Sequence, residues 1–223
     1  MHHIQAKILQ KLLYTEQINY ARLRPTNVES NHFAYHLDQL IKDGFIAKTD
    51  KAYRLTPKGL AYVDRLSQGI MKERLQPHIV TAIDITTPGG KTLLFQRTFQ
   101  PYINLVGLPN GKLHYDESIA DAARRELYEK TGLEGIPLTH RGMVYIRATQ
   151  ANETIGRVLY HVFHGEVETE LPVHTPPERG VSFWDEHTKF DTAQCMPGFI
   201  RIKRLLREPS ELFFAELNES LGT

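Results

Sequence analysis

"GKLHYDESIADAARRELYEKTGL", residues 111–133, concentrates charge on one short stretch. Asp116 and Ser118 both offer an N-cap, the alanine-rich segment after them favours helix, and Gly132 supplies a stop. A helix here sets Glu126, Glu129 and Lys130 at i, i+3 and i+4, on one face. Two carboxylates so placed suit Mg²⁺, which takes carboxylate oxygens together with the phosphates of a bound substrate. The plainer reading is an exposed helix face of mixed charge. Lys130 divides the two readings, because a protonated lysine has no lone pair to give a metal.

The segments around this stretch are strand-like. "HIVTAIDITTPGGKTLLFQRTF", residues 78–99, predicts a strand, a Pro-Gly-Gly turn and a second strand. Farther on, "FIRIKRLLREPSELFFAEL", residues 199–217, predicts two amphipathic helical pieces divided by Pro209. Their apolar faces are expected against the domain or a second subunit. Trp184, Tyr102, Tyr145 and Phe95 are candidates for stacking a nucleobase, with Trp184 favoured by position; aromatic residues also serve as ordinary core. Arg97, Lys112, Arg141 and Arg147 are candidates for meeting phosphates.

The residues 111–133 resemble the signature of the Nudix hydrolases: Gly, five residues, Glu, seven residues, then Arg-Glu-apolar-any-Glu-Glu-any-Gly-apolar. Here it runs Gly111, Glu117, Arg125, Glu126, Leu127, Glu129, Lys130, Gly132 and Leu133, and eight of the nine positions fit. The resemblance covers roughly residues 76–210, with "FQRTF" upstream and "ERGVSFW" downstream. It implies a mixed sheet between helices. It also implies that Glu126 and Glu129 bind metal, Glu126 doubling as a base toward water, and that the Gly111 carbonyl joins the metal shell. Glu117 and Arg125 resemble the ion pair that steadies the loop, and Glu178 resembles a loop glutamate that completes catalysis. Asn110 replaces the first glycine of the usual pair, a mild change because asparagine tolerates left-handed backbone. Lys130 replaces a principal metal ligand. At about 4 Å and an effective dielectric of about 20, a pair of unit charges interacts by about 4 kcal/mol. Exchanging attraction for repulsion toward a divalent ion therefore costs several kcal/mol, and the Mg²⁺ site is expected to be weakened. Two expectations follow: the Lys130 ammonium is a direct partner for phosphate oxygens, with Arg97 and Lys112, or Lys130 points outward and Glu126, Glu129 and Glu178 still hold one metal.

Upstream the pattern is helical. Ile4, Ile8, Leu9, Leu12 and Leu13 recur at helical spacing, and a short helix in "INYARLRP" ends at Pro25. A third helix runs from Ser30, as its N-cap, to Lys42, burying Phe33, Leu37, Leu40 and Ile41. "FIAKTDKAYRLT" predicts two strands around a turn, and Thr56-Pro57 starts a fourth helix. The string "FAYHLDQLIKDGFIAKTDKAYRLTPKGLAYV", residues 33–63, resembles the third helix and wing of bacterial winged-helix regulators. That resemblance implies duplex DNA binding, with Asn31, His32, Tyr35, Gln39 and Lys42 facing out from the third helix and Lys48, Lys51 and Arg54 on or beside the wing. Amides and imidazoles can read base edges while lysines attract phosphates. The alternative is a winged helix used for dimerisation or docking. His32 and His36, at i and i+4, suggest a metal pair only superficially, since no further ligand accompanies them.

Composition bounds the rest. The chain has 223 residues, 41 % hydrophobic and 24 % charged, long enough for two domains. Residues 1–70 hold ten Lys and Arg against six Asp and Glu, whereas the remainder holds 17 against 20. Cys195 is the only cysteine, which excludes an internal disulfide and fits a reducing cytoplasm. No apolar run reaches the ~18 residues of a membrane span, and the first residues lack a secretory signal's apolar core.

The expectation is an α+β chain: a winged helix-turn-helix domain at 1–70 and a Nudix α/β/α sandwich with a mixed sheet at 76–223, carrying C-terminal helices. Its expected function is that of a cytoplasmic, homodimeric transcriptional regulator responding to a nucleoside diphosphate derivative such as ADP-ribose. The alternative is a Mg²⁺-dependent hydrolase that uses the winged helix for targeting or dimerisation.

Overall fold

The computed structural model describes residues 1–67, 73–175, 180–209 and 212–221. The chain divides into two compact units, Met1–Leu75 and Gln76–Thr223. Gly69, part of the expected seam, lies outside the described residues.

In the first unit, helices α1 (His3–Leu12), α2 (Tyr20–Leu23) and α3 (Ser30–Lys42) precede strands β1 (Ile46–Lys48) and β2 (Tyr53–Leu55), then helix α4 (Pro57–Asp64). This order is compatible with a winged helix. Ile8, Leu9, Phe33, Leu37 and Leu40 form its core, so the 3.6-residue stripes of α1 and α3 face each other. An antiparallel bridge between Ile18 and Tyr53 extends the β1–β2 hairpin. Thr56 caps α4 through a hydrogen bond from the Gly59 N–H at 3.0 Å, with Pro57 in the first turn. One boundary differs from expectation: Glu29, not Ser30, occupies the cap position of α3, and Ser30 is already helical.

The second unit is a mixed sheet sandwiched between helices. Strands β3 (His78–Thr86), β4 (Thr92–Gln96), β5 (Val106–Gly107), β6 (Asn110–Lys112), β7 (Thr139–Gln150), β8 (Glu153–Glu166), β9 (Val181–Asp185) and β10 (Phe213–Leu221) accompany helices α5 (Ile119–Thr131) and α6 (Phe199–Leu205). The sheet order is β10-β7-β8-β3-β4-β5, with β6 also on β3 and β9 also on β4. β3 runs parallel to β8 and β10 parallel to β7; the other pairings are antiparallel. The period of two along β3 and β4 assigns the faces. Ala82 and Leu94 pack toward α6 with Phe199, Ile202 and Leu205, whereas Ile83, Ile85 and Leu93 pack toward α5 with Ala123 and Leu127. None of the helices formed by the described residues is long and apolar enough to cross a membrane.

The expected second helical piece after Pro209 is instead strand β10. Phe213, Phe214, Leu217 and Leu221 sit at spacings that suit a helix, but the burial alternates residue by residue from Phe213 to Leu221. A short apolar run is ambiguous between the two periods, and pairing with β7 along its whole length decides it.

One buried polar network holds α6 to the sheet. Lys203 of α6 meets Asp84 of β3 at 2.6 Å and donates to Thr92 at 3.1 Å. The other Asp84 oxygen hydrogen-bonds His164 of β8 at 2.9 Å. Burial alone would raise the Asp84 carboxyl pKa, but the His164 hydrogen bond and the Lys203 charge hold it below its ordinary value. His164 is raised in turn, first by its hydrogen bond to Asp84. Asp84 and Lys203 are 1 % and 6 % exposed, so removing either partner strands a buried charge. Lys203→Met is expected to cost about 3–5 kcal/mol in urea unfolding, and Asp84→Asn with Lys203→Met to recover more than half of it.

Candidate active site on helix α5

The site forms where β6, the loop after it and α5 converge. Ser118 caps α5 by accepting from the Asp121 N–H at 3.1 Å, and Gly132 ends the helix in a left-handed conformation, φ +74°. This fixes which side chains of α5 turn toward the sheet. Glu126 is 6 % exposed, and its carboxylate lies directly over Gly111. A Cβ at position 111 would stand 1.7 Å from the Glu126 carboxyl carbon, so any side chain there displaces the Glu126 carboxylate from its place over β6.

Arg125 joins the parts. Its guanidinium donates twice to Glu117, at 2.9 and 2.6 Å, and once to the Lys112 carbonyl at 3.1 Å. It also reaches Glu126 at 2.6 Å and Glu129 at 3.5 Å. Glu117 accepts a further bond from the His114 N–H at 2.6 Å. The hydrogen bond from Arg125 is the main cause that holds the Glu117 pKa to about 2, well below the ordinary 4.5. Arg125 is stabilised in its charged form by the same contact. Loop, strand and helix are therefore tied by a single cation surrounded by three carboxylates.

The structure thus brings together Gly111, Glu117, Arg125, Glu126 and Glu129. Lys130 is one helical turn beyond Glu126, with its ammonium 5.0 Å from the centre of the Phe95 ring on β4. Its carbonyl accepts from the hydroxyls of Thr175 and Ser182, the latter at 2.7 Å, which fastens the end of α5 to β9. Arg97 lies beyond the end of β4, stacked on Phe99 at 3.9 Å and donating to the Phe99 carbonyl at 3.2 Å. Lys112 is exposed on β6. Trp184 of β9 packs against the Ile83–Leu127 cluster and donates its indole N–H to the Leu171 carbonyl at 2.8 Å, a setting that suits a core residue. Glu178 lies outside the described residues.

Among the described residues, Glu126 and Glu129 are the candidate carboxylates toward Mg²⁺. Glu126 and Glu129 supply carboxylate oxygens, yet both face Arg125, and among the described residues no group of three His, Cys, Asp or Glu side chains is arranged to hold a metal. That includes His32 and His36. His36 stacks on His2 at 4.0 Å, and burial, then the neighbouring His2, His3 and His32, lowers its pKa.

In the first unit, Asn31, His32, Tyr35 and Lys42 are exposed on α3 and Gln39 is partly so; Lys48, Lys51 and Arg54 are exposed on the hairpin. Sequence reasoning missed Thr81, which sits opposite both Gly111 and His161 in the sheet. Its hydroxyl is buried without a hydrogen-bond partner, and His161 contacts His140 at 3.2 Å. The only sequence signal for Thr81 is a polar residue on the inward period of β3.

The NUDIX domain model matches residues 76–202, and a domain of unknown function, DUF7347, matches residues 2–66. An RNA pyrophosphohydrolase of Bartonella clarridgeiae is 28 % identical over 90 residues, 35 % of this chain and 52 % of that protein. The corresponding protein of Bartonella bacilliformis is 30 % identical over 123 residues, 50 % of this chain and 72 % of its own length. The chain thus spans about half of the first of these relatives. Among solved structures, the NUDIX domain of Shewanella oneidensis NrtR complexed with ADP ribose aligns with a TM-score of 0.51 at 17 % identity, covering 69 % of this chain and 97 % of that one.

Proposed function

Because the chain belongs to the Nudix family, we propose that its second unit binds a nucleoside diphosphate derivative of the ADP-ribose kind and that its first unit binds duplex DNA. It is read as a homodimeric, ligand-responsive transcriptional regulator working in the cytoplasm. The observation that carries this reading is the charge of the α5 face. Where the family places a metal-binding glutamate, this chain has Lys130, and Arg125 already bridges Glu126 and Glu129. Glu126 and Glu129 hold a divalent ion only weakly beside these cations. Lys130, with Arg97 and Lys112, meets the diphosphate oxygens instead. A ligand held without efficient water activation persists long enough to act as a signal, and it shifts DNA affinity to the extent that it prefers one form of the dimer. The ADP-ribose-bound neighbour of like fold supports the ligand class.

The exposed polar face of α3 and the basic hairpin support the DNA reading. Asn31, His32, Tyr35, Gln39 and Lys42 approach base edges, and Lys48, Lys51 and Arg54 approach phosphates. A second reading, a Mg²⁺-dependent hydrolase, is favoured by the curated relatives named RNA pyrophosphohydrolase. In that case Glu126 and Glu129 hold the metal with the Gly111 carbonyl, and Glu126 and Glu178 assist the attack of water on phosphorus.

Two measurements separate the readings. Nucleoside-monophosphate release from a nucleotide panel is expected to be slow for the wild type with Mg²⁺. Lys130→Glu is expected to raise it by about tenfold or more, a barrier lowered by about 1.4 kcal/mol. Rapid wild-type turnover that falls on Lys130→Glu selects the hydrolase. In electrophoretic shifts against a genomic fragment library, the full chain is expected to prefer particular sequences. Lys48→Ala with Lys51→Ala is expected to weaken all of them and to flatten the salt dependence by about two counterions. No shift at low salt removes the regulator reading.

A further inference from the structure

We propose that the outer edge of β10 is the surface through which two copies of this chain join, antiparallel about a two-fold axis passing through Leu217. The inference rests on the homodimer reading above and names its interface.

β10 matches β7 in nine successive pairs, from Phe213 with Gly142 to Leu221 with Gln150, without a register shift. On its other side the sheet ends, and among the described residues no strand or isolated bridge pairs there. A strand edge of this kind presents a row of N–H and C=O groups that can template another strand. Proteins that keep such an edge single shorten it, bulge it, or place lysine or proline on it. Phe213–Leu221 is regular and unbulged, contains neither lysine, arginine, proline nor glycine, carries only Glu216 and Glu219 as charges, and exceeds the common strand length of about five to six residues.

Symmetry and charge then choose the partner and the register. A second copy related by a two-fold axis perpendicular to the sheet must pair antiparallel. Residues directly opposite one another share a face, so the axis passes through a residue. With the axis at Leu217 all nine residues pair: Phe213 with Leu221, Phe214 with Ser220, Ala215 with Glu219, and Glu216 with Asn218. No carboxylate then opposes a carboxylate, and each Glu216 faces an amide that can donate to it. Moving the axis to Glu216 sets that glutamate against its own copy, which is destabilising, and shortens the pairing to seven residues. Moving it to Asn218 also leaves seven. Phe214, 61 % exposed, gains cover from the opposing strand.

The test uses the full chain. Asn218→Glu, at an exposed position, places two like-charge pairs across the axis and is expected to weaken dimerisation by about tenfold in sedimentation equilibrium. Asn218→Lys places two opposite-charge pairs there and is expected to strengthen it at low salt. Leu217→Cys brings two thiols opposite one another at a Cα separation of about 4.5–5.5 Å, within the range a disulfide spans. Mild oxidation is expected to give a covalent dimer, the native Cys195 being buried. Asn218→Cys, whose copies lie diagonally at about 7–8 Å, is expected not to cross-link. A dimer in which Leu217→Cys fails to cross-link, or which is indifferent to the charge at 218, overturns this interface and leaves the homodimer reading standing. A 25.6 kDa monomer at tens of micromolar overturns both.

Discussion

The Arg125 guanidinium gathers what would otherwise be separate pieces. Its bidentate contact with Glu117 clamps the loop, its bond to the Lys112 carbonyl clamps β6, and its reach to Glu126 and Glu129 orients α5. The planar fork of arginine suits this task in a way that a lysine point charge does not. Gly111 is the steric counterpart, because the Glu126 carboxylate occupies the space of its missing side chain. Helix, strand and loop are thus set by one cation and one absent Cβ, and every functional reading of the site begins from that geometry.

Within this frame the balance of charge decides the chemistry. Glu117 is committed to Arg125, whose hydrogen bond holds its pKa to about 2, well below the ordinary 4.5. Glu126 and Glu129 also face Arg125, and Lys130 follows on the same helix over Phe95. A divalent ion entering here meets two carboxylates but also two fixed positive groups. A diphosphate meets the reverse. On the function proposed above, lysine at the position of the family's glutamate tilts the site from holding metal toward holding phosphate.

Much of this is legible in the sequence because it is local. The spacing from Gly111 to Leu133, the Ser118 cap and the Gly132 stop all act within a few residues, and the structure places them as their chemistry requires. Long-range features are not legible in this way. Lys203 and Asp84 are 119 positions apart, so nothing in either neighbourhood announces their buried pair. β10 was hidden for a different reason, since Phe213, Phe214 and Leu217 satisfy helical and strand periods alike and only the vacant edge of β7 resolves them. The orphaned hydroxyl of Thr81 depends on which strands flank β3, which a single strand cannot reveal.

On the proposed function, cationic side chains, with little help from a divalent ion, hold the ligand on α5. Isothermal titration of the full chain with ADP-ribose, in EDTA and again in Mg²⁺, addresses it directly. Comparable affinity in both solutions is the predicted result, with binding heat that falls when Lys130 is replaced by methionine. Binding that appears only when Mg²⁺ is supplied, and that is unaffected by Lys130→Met, would show that the metal and not the cationic face holds the ligand.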